Sequence, residues 1–172
     1  MEIKVCCFTG HRTLSDTEYE ELVPVIDRYL LAMCEAGCTE FRTGGALGFD
    51  TLAAQRVLAL REQHPQCKLH LILPCRGQES SWALQHRVLY RKICERADRV
   101  SCLHEIYEKG CMYERNRALV DGCDVVIAYL KQEKGGTAYT CRYAKKQGVR
   151  IINVARTIEQ QLSFFDEHDL PS

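Results

Sequence analysis

The residues best suited to chemistry gather in a few short stretches of the chain. These are Thr9-Gly10-His11-Arg12, Gly44-Gly45-Ala46-Leu47-Gly48-Phe49-Asp50, Pro74-Cys75-Arg76-Gly77-Gln78, His104 to Gly110 with Arg115-Asn116-Arg117, and Gly135-Gly136-Thr137. Glycine lets a ligand approach the backbone, and the free N–H groups of a helix start attract phosphate. Gly44, Gly45 and Gly48 read as one such cradle, and Gly135, Gly136 and Thr137 as a second. Neither is a G-x-G-x-x-G fingerprint or a P-loop with its lysine, and a tight turn with a helix cap would produce either one. Arg12, Arg76, Arg115 and Arg117 carry forked donors that match phosphate, or else pair with Glu105, Glu108 and Glu114. Trp82 and Tyr107 offer rings on which a base stacks, although a lone Trp on a helix also serves a core. Gln78 and Asn116 stand beside them as polar contacts for a sugar or base. His11 fits a proton carrier, a phosphate donor or a polar turn. Asp50 lies in a helix first turn, where the dipole favours a carboxylate. It is also the residue placed to meet a ribose hydroxyl or polarise water. Hydrolysis asks for a second carboxylate, for which Glu79, Glu105 and Glu108 are candidates that spacing does not separate; Asp50 and Glu105 are carried forward as the catalytic candidates.

Strands and helices must alternate to bring these stretches together. Ile3 to Phe8, Thr39 to Thr43, Leu69 to Leu73, Val100 to Leu103, Val125 to Tyr129 and Arg150 to Val154 read as short buried strands. Helical spacing runs over Ser15 to Ala36, Phe49 to Gln63, Ser80 to Arg96, Met112 to Asp121 and Thr137 to Gln147. Ser15 with Glu18 forms a capping box, and Pro24 is expected to kink the first helix. Such alternation specifies a Rossmann-like α/β three-layer sandwich with a mainly parallel sheet. Ligands of such sheets bind beyond the carboxyl ends of the strands, and the marked stretches all follow strands. Residues 1–155 form this domain, and 156–172 a C-terminal helix and tail.

The chain has 172 residues with 23 Lys+Arg and 23 Asp+Glu, so a protein built mainly to hold a polyanion or anionic membrane is disfavoured. Neutrality hides a basic middle, since Arg76 to Arg117 holds nine basic against six acidic residues. No stretch approaches a membrane span or a signal-peptide core, which reads as a soluble cytoplasmic protein. Eleven cysteines without a Cys-x-x-Cys pair read as buried reduced thiols, with Cys102 among the apolar surroundings, rather than a metal site.

Thr9-Gly10-His11-Arg12, Gly44 to Asp50, Glu105-Ile106-Tyr107, Met112 to Asn116 with Val120-Asp121, and Gly135-Gly136-Thr137 together resemble the YpsA-like proteins of the SLOG superfamily. That superfamily also holds the DprA/Smf and LOG-type proteins, and the resemblance runs from about residue 3 to residue 154. It implies a nucleotide or nucleotide-derived ligand, ADP-ribose-like molecules included, held at the rim without a required cofactor. Gly10, His11, Arg12, Gly44, Gly45, Gly48, Asp50, Gln78, Trp82, Tyr107, Arg115, Asn116, Gly135, Gly136 and Thr137 are the expected contacts. It further implies a bacterial sensor or regulatory protein with a division or stress protein as partner, and a possible homo-oligomer. LOG-type relatives release a base from a nucleoside monophosphate through a Pro-Gly-Gly-x-Gly-Thr-x-x-Glu motif. Here Lys134-Gly135-Gly136-Thr137 is one glycine short and Thr140 falls near the Glu position, so an N-glycosidase is the alternative reading. DprA-type relatives bind single-stranded DNA, which the neutral charge does not favour here.

Overall fold

A computed structural model describes residues 2–155. The C-terminal helix expected within 156–172 lies outside the described residues. The elements are β1 (Val5–Gly10), α1 (Asp16–Glu35), β2 (Glu40–Thr43), α2 (Phe49–Gln63), β3 (Lys68–Leu73), α3 (Leu84–Arg96), β4 (Arg99–Cys102), α4 (Cys111–Val120), β5 (Val125–Tyr129), α5 (Gly136–Lys146) and β6 (Arg150–Asn153). The six strands pair in the order β4-β3-β2-β1-β5-β6, every pair parallel. The result is the Rossmann-like sandwich, with a sheet wholly rather than mainly parallel.

Side-chain alternation in the strands assigns the helices to faces. Cys6, Phe8, Phe41, Leu69, Leu71, Val125 and Ile127 point to one face, where α1, α2 and α3 bring Ile26, Leu30, Leu52, Val57 and Ile93. Cys7, Ile72, Val126 and Ala128 point to the other, under Leu119 of α4 and Cys141 and Ala144 of α5. The chain winds in one direction from β1 through β4, then crosses back to lay β5 on the far side of β1. Neighbouring loops after β1 and β5 therefore diverge to opposite faces and leave a crevice between them.

Local chemistry explains the element ends. Ser15 Oγ accepts the Glu18 N–H at 3.1 Å and Glu18 Oε2 accepts the Ser15 N–H at 2.8 Å, closing the capping box at the start of α1. Pro24 does not divide α1, which continues as one helix to Glu35. The third helix begins at Leu84 rather than Ser80, because Gly77 turns the chain and Ser80 and Trp82 N–H groups close bends on Gly77 and Glu79. Eight of the eleven cysteines are buried and all are free thiols, but Cys102 is exposed. It lies on β4, an edge strand with one neighbour and little cover.

Candidate functional site

A cavity of about 420 Å³ opens at the carboxyl ends of β1 and β5. Gly10, His11 and Arg12 approach it from β1, and Asp50 from the first turn of α2. Tyr107 and Gly110 come from the loop before α4, and Arg115 and Asn116 from α4 itself. Lys134, Gly135, Gly136 and Thr137 close it from the start of α5. Ten of the fifteen residues expected to hold a ligand are thus brought together. Met112, Tyr113, Gln132 and Lys134 also line it without having been singled out for binding.

The two glycine stretches serve different ends. A Cβ on Gly44 would lie 2.5 Å from Arg115 Nη1 and 2.9 Å from Asp50 Oδ2, so its missing side chain admits the protein's own charges. Arg115 is buried, donating from Nη1 to Gly44 O at 2.6 Å and from Nε to Asn116 Oδ1 at 2.9 Å. Asp50, also buried, accepts the Ala46 N–H on Oδ2 at 3.3 Å. Burial pushes the Asp50 carboxyl up, against the opposing pull of Arg115 and the nearby amides. Gly48 packs on the His11 and Arg12 backbone, and the Phe49 N–H opening α2 already donates to His11 O at 3.1 Å. The expected cradle at Gly44, Gly45 and Gly48 is therefore filled by the chain itself, and none of the three lines the cavity.

At α5 the surroundings are open. Gly135 takes a φ of +96°, and a Cβ there would meet nothing within 4 Å. A Cβ on Gly136 would meet only Asn116 Nδ2, at 3.6 Å. No side chain caps the start of α5, nor that of α4, where Gly110 is left-handed. Both helix starts thus border one cavity without a side-chain cap, beside the cations of Arg12 and Lys134.

Other expected residues support the site or lie away from it. His11 Nε2 accepts the Lys131 N–H at 2.8 Å, so the ring carries its proton on Nδ1. Burial and the Lys131 charge push its pKa below the ordinary 6.5. Gln78 Nε2 donates to Gly44 O and to Tyr90 Oη, each at 3.2 Å. Trp82 sets its ring edge-on to Tyr90, with centroids 5.3 Å apart, as part of the packed core. Gln78 buttresses the Gly44–Gly45 loop from outside the cavity, and Trp82 packs on the Tyr90 ring that borders the same loop. Glu105 is solvent-exposed and pairs with Arg76 at 2.9 Å, away from Asp50. The two catalytic candidates therefore do not meet.

The family described as the YspA SLOG family matches residues 6–161, nearly the whole chain. This chain belongs to that family. A prophage-derived protein of Bacillus subtilis, YoqJ, is 28% identical over 134 residues, covering 68% of this chain and 78% of its own. A UPF0398 protein of Bacillus pumilus is 26% identical, covering 96% of this chain and 97% of its own. Among solved structures, DNA processing protein A from Helicobacter pylori, described for its single-stranded DNA binding mode, superposes with a TM-score of 0.65 at 20% identity, covering 97% of this chain and 75% of that one. Its Streptococcus pneumoniae counterpart gives 0.63 at 21% identity, with 94% and 53% covered. These structures share the fold. No described helix is long and apolar enough to cross a membrane.

Proposed function

We propose that this SLOG protein binds a nucleotide or nucleotide-derived molecule in the cavity and acts as a sensor rather than a hydrolase. One observation carries the reading: the start of α5 borders the cavity, with open space at Gly135 and only Asn116 Nδ2 beside Gly136. A phosphate there would accept backbone N–H groups and be balanced by Arg12 and Lys134. Tyr107, largely exposed at the mouth, supplies a ring for the base, and Asn116 a polar contact. Arg115 is already committed to Gly44 and Asn116, so its role is to hold the loop that shapes the cavity.

The regulatory reading rests on the carboxylates. Asp50 is the sole carboxylate among the described residues lining the cavity, whereas glycoside hydrolysis canonically pairs two. A thermal-shift panel of mononucleotides, dinucleotides and ADP-ribose tests binding. At about a hundredfold excess over Kd the melting temperature should rise by about 5–10 °C. No rise with any of them would refute the proposal. Release of free base, lost in Asp50→Asn, would instead establish the hydrolase. The DNA processing fold brings a second reading, single-stranded DNA as ligand. That reading requires an affinity that falls steeply with salt.

A further inference from the structure

The cavity continues sideways. A groove of about 540 Å³ runs between α4 and α5, and shares Gly110, Tyr113 and Gly135 with the cavity. We propose that this groove is a second phosphate subsite, and that the ligand is a dinucleotide spanning both. The inference rests on the nucleotide reading of the cavity and adds the class of nucleotide.

Three observations support it. The groove is lined by Lys109, Arg117 and Arg142, cations from three separate segments that converge on one trough. Its one carboxylate, Glu114, is occupied by His104 Nε2 at 2.5 Å, and among the described residues none of the three cations lies within ion-pair distance of an acid. Arg117 is fixed rather than swinging freely, because Nη1 donates to Tyr139 Oη at 2.7 Å.

An aromatic platform stands at the junction. Tyr113 packs edge-on against Tyr139 with centroids 4.6 Å apart, yet remains about half exposed, at 49%. A ring anchored against a neighbouring ring and still half exposed suits stacking of a base. With Tyr107 at the cavity mouth and Tyr113 shared at the junction, a ring stands at each end of the path, and each compartment has its own cations. A mononucleotide engages one set and leaves the other unused. The two volumes together approach the upper end of the roughly 300–1,000 Å³ typical of small-molecule sites.

Calorimetric titration of the full chain with AMP and with diadenosine diphosphate tests this. Joining two engaged subsites should make the dinucleotide bind at least about tenfold more tightly than AMP. The Lys109→Ala/Arg142→Ala variant changes two exposed side chains outside the cavity. It should erase that advantage while the AMP affinity stays at the wild-type value. Equal affinities in the wild-type protein, or an equal loss for both ligands in the variant, would overturn the proposal. So would an oligodeoxythymidine of about ten nucleotides binding more tightly than the dinucleotide, because the groove would then be part of a polynucleotide path. Failure of AMP and of the dinucleotide alike would refute the cavity reading itself, and this inference with it.

Discussion

Arg115 and Asp50 illustrate how much of the site is held by buried charges. Both are buried around Gly44, and taking away one leaves the other in a low-dielectric interior without its counter-charge. Arg115→Met should lower stability by about 3–5 kcal/mol in urea unfolding. Asp50→Asn combined with it should cost less than the two single losses added, since the double variant strands no charge. Glu18 makes a pH-dependent contribution. Lys131, Tyr129 and the Ser15 N–H all bind its carboxylate, with Tyr129 Oη at 2.6 Å, and hold its pKa down at about 2. The folded pKa lies below the ordinary 4.5, so the stabilisation is present above that value and is lost as pH falls towards about 2. His11 acts in the same sense: its folded pKa is lowered from 6.5, and the unfolded chain takes up the proton first on acidification. The stability gap between wild type and Glu18→Gln should be widest near neutrality and close towards about pH 2. A gap that is constant with pH would show that the Glu18 charge is not what stabilises the fold.

Among the elements, α2 is tied to β1 and β5 by one ring. Phe49 stacks on Tyr129 with centroids 5.7 Å apart, and its ring occupies the space where a Gly10 side chain would be. Phe49→Ala should cost about 3–5 kcal/mol, measured by the urea midpoint. Gly10→Ala should also destabilise, because a methyl there meets the ring at 2.4 Å. Elements such as these were largely legible in the sequence. Phe49–Gln63 and Val125–Tyr129 begin and end where periodicity puts them, because a helix stripe and an unbroken apolar run are local signals. The start of α3 and the exposure of Cys102 were not legible. The first depends on bends after Gly77, and the second on β4 lying at the sheet edge, which only the pairing order decides.

At the scale of the whole molecule, the crevice between β1 and β5 follows from the crossover after β4, and alternating strands and helices direct attention to that rim, where the cavity opens. What the sequence could not separate was a glycine that faces open space from one that faces its own protein. Gly44 and Gly135 read alike in the chain, yet one abuts Arg115 and the other abuts nothing. The difference lies in the path of α4, whose Arg115 crosses to the loop after β2. Gln78, Trp82 and Glu105 were drawn to the site for the same reason: their loops reach the rim while their side chains turn to Tyr90 or to Arg76. A phosphate held at the start of α5 is probed most directly by Gly136→Asp. There is room for the side chain, and a carboxylate in a helix first turn is favourable, so the melting temperature should hold or rise. The same carboxylate would occupy and repel the phosphate position. Titration with AMP, ADP-ribose and diadenosine diphosphate should show binding to the wild-type protein and none to the folded Gly136→Asp variant. Undiminished binding by the variant, or none by the wild-type protein, would contradict a phosphate held at α5.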